Sequence, residues 1–172
     1  MSDMQRILGI DPGSRLTGFG VLDFVDDRSS YVASGTVRTP DGSFPDRLKR
    51  IFVSVTDIVE QYRPDVVAIE SVFMAKNAGS ALKLGHARSA ALCATFAFEI
   101  EVFEYAPREI KQAVVGNGGA DKAQVQHMIG ILLNTREKLQ ADAADALAIA
   151  LCHAHTRRSD PEVAQVLQRR RR

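Results

Sequence analysis

The chain has 172 residues, of which 45% are hydrophobic and 25% are charged, and its formal net charge is +1. This composition excludes a disordered chain, and the length suits one compact domain. The sequence shows neither an apolar run long enough to span a membrane nor a signal segment, so we expect a cytoplasmic protein. Cys93 and Cys152 lack the spacing of a disulfide scaffold or a zinc site and are expected to be buried thiols.

The first hundred residues alternate strand and helix signals, which indicates an α/β domain. Residues 6–10 predict a strand that ends at the turn signal Asp11-Pro12-Gly13. Residues 17–24 and 31–39 predict two more strands, separated by a polar loop over 25–30. Apolar residues at helical spacing predict a helix between 41 and 63, and residues 65–69 predict a buried strand that pairs parallel with the first.

The rest of the chain is predicted to be mainly helical. Helices are expected over 78–98, 107–116, 122–133 and 140–155, with a short strand over 102–105 and a glycine-rich break over 116–119. Residues 157–172 contain six arginines against two acidic residues, a local charge of +4 that leaves −3 on residues 1–156. We therefore predict one domain over 1–156 and a basic, flexible tail over 157–172.

Four acidic residues stand at positions that suit a metal site. Asp11 and Glu70 follow two strands that are expected to be parallel neighbours, and Asp142 and Asp145 share one face of the last helix. Converging carboxylates repel one another without a cation, and hard oxygen ligands suit Mg²⁺ or Mn²⁺. Two such ions would turn the negative domain positive and form a clamp for phosphodiester hydrolysis. By spacing alone, a turn role for Asp11 and a solvated helix face for the aspartate pair remain open.

Five segments resemble, in chain order, the motifs of the RuvC family of bacterial Holliday-junction resolvases. They are ILGIDPGSRLTGFG at 7–20, AIESVFMAKN at 68–77, SALKLG at 80–85, KQAVVG at 111–116 and ADAADALAIA at 141–150. The resemblance implies a ribonuclease-H-like fold, a mixed five-stranded sheet flanked by helices. It also implies a homodimer and a structure-selective endonuclease that nicks two opposed strands of a four-way DNA junction in homologous recombination and repair.

The same resemblance implies roles for particular residues. The four carboxylates Asp11, Glu70, Asp142 and Asp145 would be catalytic and would hold Mg²⁺, two ions per active site, with Mn²⁺ as a possible substitute. The DNA-binding residues would be an aromatic side chain that stacks near the junction centre and four lysines that contact phosphates: Phe73, Lys76, Lys83, Lys111 and Lys122. RuvA and RuvB, which drive branch migration, would be partners. The chain departs from the family pattern at Ser71 and Gly79.

Three other functions remain open from the sequence. Residues 8–18 also resemble the first phosphate loop of the actin, Hsp70 and sugar-kinase superfamily, although the chain has room for only one of the two domains that bind ATP there. Related nucleases that process RNA share the Asp-Pro-Gly start. A catalytically silent junction-binding module is the third alternative, and only a cleavage assay separates it from an enzyme.

Overall fold

A mixed five-stranded sheet forms the centre of the molecule. The structure, a computed structural model, describes residues 4–71, 77–135 and 139–159. The strands are β1 (Gln5–Asp11), β2 (Leu16–Val25), β3 (Arg28–Arg38), β4 (Val66–Glu70) and β5 (Glu101–Tyr105), in the order β3-β2-β1-β4-β5. Strands β1, β2 and β3 are antiparallel neighbours, whereas β1, β4 and β5 run parallel. The predicted mixed five-stranded sheet is confirmed.

Helices cover both faces of the sheet. They are α1 (Phe44–Tyr62), α2 (Ala78–Phe96), α3 (Pro107–Val115), α4 (Lys122–Leu132) and α5 (Ala141–Ser159). Helices α1 and α2 pack on one face, and α3, α4 and α5 pack on the other. Within the described ranges, none of the helices combines the length and the apolar character that a membrane span requires. Helix α5 continues three residues into the predicted tail, and residues 160–172 lie outside the described part of the chain.

The hairpin between β2 and β3 is tighter than the sequence predicts. The polar loop expected over 25–30 is a two-residue turn, and β3 begins at Arg28. Both turn residues are left-handed, with φ of 46° at Asp26 and 62° at Asp27. Aspartate tolerates this conformation, and a turn with positive φ at both central residues matches the twist of the flanking strands.

Helix α5 lies directly on the backbone of β1 and β2. Gly9 of β1 pairs with Gly20 of β2, and the helix crosses over them. A Cβ atom at Gly9 would clash with the carbonyl oxygen of Ala146, and one at Gly18 would clash with the carbonyl oxygen of Asp142. The helix can approach the strands this closely only because glycine has no side chain to separate the two backbones. This close contact fixes the start of α5 beside the end of β1.

A buried histidine connects the later part of α5 to β5. His153 is fully buried, and its Nδ1 shares a hydrogen bond of 2.7 Å with the Tyr105 hydroxyl. Its ring also lies against Phe103, with the ring centroids 4.6 Å apart. Helix α5 thus packs against glycine backbone of β1 and β2 at its start and makes a buried hydrogen bond to β5 near its end.

The two cysteines differ in environment. Cys152 is buried in α5, and this burial raises the pKa of its thiol to about 12. The prediction that Cys93 is also buried was wrong, because Cys93 is exposed. It lies on the outer side of α2, whereas Ala87, Ala91 and Ala94 form the side that packs into the core.

Substitution of Gly18 by alanine is expected to lower the free energy of unfolding by about 1–3 kcal/mol, because the new methyl group meets the backbone of α5. Denaturant unfolding of Gly18→Ala measures this. Gly85→Ala is the matched control, since a Cβ there meets nothing within 4 Å in the interior of α2. We expect the control to gain up to about 1 kcal/mol. Equal loss in both variants would contradict the proposed contact.

Candidate functional site

Three segments bring acidic side chains to one edge of the sheet. Asp11 ends β1 and Glu70 ends β4, and these parallel strands are in register because Ile10 lies opposite Ile69. Because α5 packs closely on the sheet, its residues Asp142 and Asp145 lie near Asp11 at the same edge. Carboxylate oxygens of Asp11, Asp142 and Asp145 all lie within 4.8 Å of one another.

Glu70 completes the group through a shared pocket. Glu70, Asp11 and Asp145 line a cavity of about 240 Å³ between the end of the sheet and helices α3, α4 and α5. Its other lining residues are two lysines and an apolar wall: Lys111, Lys122, Pro107, Ile110, Val125, Ala148 and Ile149. The structure therefore brings together all four carboxylates that the sequence singled out.

A larger groove lies elsewhere, between β3 and the start of α5. It has a volume of about 1000 Å³ and is lined mainly by hydroxyl, amide and leucine side chains, among them Tyr31, Thr36, Asn134 and Gln140. Among the described residues that line it, none is a carboxylate, a lysine or an arginine. These residues offer no ligand set for a hard cation, so the smaller acidic pocket is the candidate site.

The acidic side chains of the cluster repel one another, and two of them have raised pKa values. Burial, followed by repulsion from Asp145, Glu70 and Asp142, raises the pKa of Asp11 to about 7. Burial is also the first cause that raises the pKa of Glu70, with Asp145 the next. A divalent cation would remove this repulsion, and four carboxylates are the hard oxygen donors that Mg²⁺ and Mn²⁺ prefer. The donor set therefore fits a divalent metal.

Two of the predicted lysines lie at this pocket. Lys122 is the first residue of α4, where Asp121 and Gln124 exchange capping hydrogen bonds of 2.8 and 2.9 Å. Its Nζ is 2.5 Å from Oδ2 of Asp145, and this hydrogen bond is the main cause that raises the pKa of Lys122. Lys111 lines the pocket from α3.

Of the other predicted DNA-binding residues, only Lys83 lies in the described part of the chain, and it does not line the pocket. Lys83 is exposed on α2, on the opposite face of the sheet from α3, α4 and α5. Phe73 and Lys76 lie outside the described residues, so their roles stay predictions. Gly79 is exposed in the first turn of α2, and Ser71 is half-buried directly after β4.

The glycine-rich break between α3 and α4 is a hydrogen-bonded turn. The amide of Gln112 donates from Nε2 to the carbonyl oxygen of Gly116 at 2.9 Å and accepts at Oε1 from the backbone N–H of Gly118 at 3.1 Å. Gly116 has a φ of 76° and ends α3 in the left-handed conformation. The side chain of Gln112, which the sequence analysis did not single out, thus stabilises the turn between the helices that carry Lys111 and Lys122.

Arg88 is a second residue that sequence reasoning missed. From α2, its Nε donates to the backbone carbonyl oxygen of Glu70 at 3.2 Å, and its guanidinium pairs with Glu104 of β5 at 2.8 Å. The backbone N–H of Ser71 donates to the carbonyl oxygen of Tyr105 at 2.9 Å. These contacts hold the main chain at Glu70. The only signal of Arg88 in the sequence was an arginine within an alanine-rich helix. Ser71, where the chain departs from the family pattern, makes its hydrogen bond to Tyr105 with backbone atoms, so this contact does not depend on the side chain at that position.

The raised pKa of Asp11 predicts how stability depends on pH in metal-free protein. Between about pH 4 and pH 7 the folded protein keeps a proton on Asp11 that the unfolded chain releases, so the free energy of unfolding falls as the pH rises. Asp11→Asn removes the titrating carboxyl group, and with it this fall in the free energy of unfolding. At pH 8 in EDTA we expect the variant to be more stable than the native chain by about 1–3 kcal/mol, and this advantage should shrink toward pH 4.

Denaturant unfolding across that pH range measures the difference. Asp57→Asn, at an exposed position of α1, is the matched control and should follow the native chain. A variant Asp11→Asn that is less stable than the native chain at pH 8 would show that the Asp11 carboxylate is favourable in the folded protein.

Comparison with known proteins gives a consistent result. The family model described as crossover junction endodeoxyribonuclease RuvC matches residues 7–153. The crossover junction endodeoxyribonuclease RuvC of Vibrio vulnificus is 57% identical over 156 residues, which cover 91% of this chain and 90% of the relative. The protein of the same name from Methylococcus capsulatus is 52% identical and is covered over its full length, 100%, by 96% of this chain.

A solved structure also matches over most of its length. It is described as T. thermophilus RuvC in complex with Holliday junction substrate, and it is 34% identical to this chain with a TM-score of 0.84. The match covers 90% of this chain and 96% of that one. The expected ribonuclease-H-like fold, a mixed five-stranded sheet flanked by helices, is thus confirmed.

Proposed function

The chain belongs to the RuvC family of crossover junction endodeoxyribonucleases, and from this premise we propose how it resolves a four-way DNA junction. It is a structure-selective DNA endonuclease of homologous recombination and repair. One observation carries the assignment of its active site. The four carboxylates that the sequence singled out converge at one end of the sheet, and three of them, Asp11, Glu70 and Asp145, line a pocket together with two lysines.

Asp11, Glu70, Asp142 and Asp145 would hold two Mg²⁺ ions, and Mn²⁺ could substitute for them. When bound, such ions supply Lewis-acid activation of water and charge stabilisation of a leaving oxygen. The residues of the chain do the rest. The four carboxylates would hold the ions at this end of the sheet, and the positive charges of Lys111 and Lys122, which line the same pocket, would attract the reacting phosphate. Water adds to phosphorus, the bond to the 3′ oxygen breaks, and the products are a 5′-phosphate and a 3′-hydroxyl.

The DNA contacts extend beyond the pocket. Phe73 follows Glu70 by three residues, which suits stacking on an unpaired base near the junction centre. Lys76 and Lys83 contact backbone phosphates. Residues 1–156 form the nuclease domain, and the six arginines of residues 157–172 add salt-dependent attraction to DNA that is independent of sequence.

The enzyme works as a homodimer. Two opposed strands of a symmetric junction call for two active sites related by a two-fold axis. Support for an interface comes from α1 and α2, whose outer sides expose four large apolar side chains: Phe52, Val53, Leu82 and Phe96. RuvA and RuvB are its partners in branch migration, as the family resemblance implies. Its compartment is the cytoplasm, which suits two free cysteines.

Cleavage of a labelled four-way junction tests this function. The native chain should make paired, symmetric nicks with Mg²⁺ and none with EDTA. We expect Asp142→Asn to cut at least about 100-fold more slowly while it still binds the junction, because phosphate contacts come mainly from other residues. Asp57→Asn, which removes an exposed carboxylate from α1, should cut like the native chain.

The same assay separates the alternatives. Cutting of an RNA hairpin but not of the junction would indicate an RNA-processing nuclease. Junction binding without any cleavage would indicate a silent binding module. ATP binding without junction binding would indicate a nucleotide-binding domain. Single unpaired nicks from a monomer would contradict the proposed dimer.

A further inference from the structure

Lys122 pairs with a carboxylate that a bound metal ion would also use. Its ammonium group pairs at 2.5 Å with Asp145, and the side chains of the pair are 60% and 24% exposed. Within the described ranges, this is the one ion pair made by any of the four carboxylates of the cluster. The metal-free site therefore has a cation of its own, attached to α4.

The charge of Lys122 acts on the whole cluster. Besides its contact with Asp145, it opposes the upward shift in pKa of both Asp11 and Glu70. Lys111 has the same effect on Glu70 only. Lys122 thus compensates part of the mutual repulsion among the acids in the metal-free protein.

We propose that Lys122 is a displaceable counter-ion of this site. Its ammonium group holds Asp145 in the metal-free protein, leaves when a divalent cation binds that carboxylate, and is then free to bind a phosphate of the DNA strand. The inference rests on the proposed function, because it takes Asp145 as a metal ligand.

Electrostatics favours this exchange. A divalent cation about 2.1 Å from Asp145 would lie within roughly 5 Å of an ammonium group that stayed on the same carboxylate. Two positive centres at that separation repel strongly in a half-buried site.

The structure also allows the exchange. The backbone of Lys122 is fixed by the capping of α4, but the side chain is largely exposed and has a flexible four-carbon stem. It can leave Asp145 without any movement of the helix. The opening of the pocket, where the scissile phosphate is proposed to bind, is within its reach.

Two consequences follow from this competition. The free protein binds metal more weakly than its carboxylates alone would, because the metal must first displace Lys122. Metal also strengthens the contact of Lys122 with DNA, and by thermodynamic reciprocity DNA strengthens the binding of metal.

Mn²⁺ binding to the full chain without DNA tests the competition directly, with bound metal measured by electron paramagnetic resonance. Lys122→Met should bind Mn²⁺ roughly 3- to 10-fold more tightly than the native chain, because it loses both the competitor and the repulsion. Lys122→Arg keeps the charge and should stay within about twofold of the native affinity. Lys49→Met removes an exposed lysine from α1, on the far side of the sheet, and should leave the affinity unchanged.

Each outcome decides the matter. Equal or weaker Mn²⁺ binding by Lys122→Met would overturn the inference, provided that its circular dichroism matches the native chain. If Asp145→Asn also loses Mn²⁺ affinity in that case, the proposed metal site survives and only the role of Lys122 falls. A folded native chain that binds no Mn²⁺ at millimolar concentration would overturn both.

Discussion

The carbonyl oxygens of α5 lie where side chains of β1 and β2 would otherwise stand. Gly9 and Gly18 permit this contact, since a methyl group at either position would clash with the backbone of the helix. The first turns of α5 are therefore pressed against the end of β1, and Asp142 and Asp145 come within a few ångströms of Asp11. The geometry of the site follows from this approach of helix to sheet, while Arg88 fixes the fourth carboxylate through its backbone.

This packing produces a site that is electrostatically unfavourable without metal. Burial, together with repulsion from neighbouring carboxylates, raises the pKa of Asp11 and of Glu70, and Lys122 compensates for only part of that repulsion. The apolar residues around them, such as Ile110, Val125 and Ile149, keep the repulsion strong because they exclude water from one side of the pocket. The same arrangement favours a divalent cation, so the cost in stability and the proposed function have one physical cause.

Much of the fold could be predicted from the sequence, because strand and helix periods are local. The position of Asp11 beside Glu70 followed from the expected parallel pairing of the two strands that they end, and the alanines around Asp142 indicated a helix that packs closely on the sheet. The two-residue turn at Asp26 escaped prediction because a polar run does not reveal its φ values. The roles of Gln112 and Arg88 escaped prediction because each depends on backbone atoms brought near by tertiary packing.

The central claim is that these four carboxylates form one divalent-metal site, and anomalous X-ray scattering from crystals of the full chain soaked in Mn²⁺ tests it most directly. The account predicts two peaks about 3.5–4 Å apart, with oxygens of Asp11, Glu70, Asp142 and Asp145 about 2.0–2.3 Å from them. Peaks bound by other residues, or none at this edge of the sheet while the crystals hold Mn²⁺ elsewhere, would contradict it.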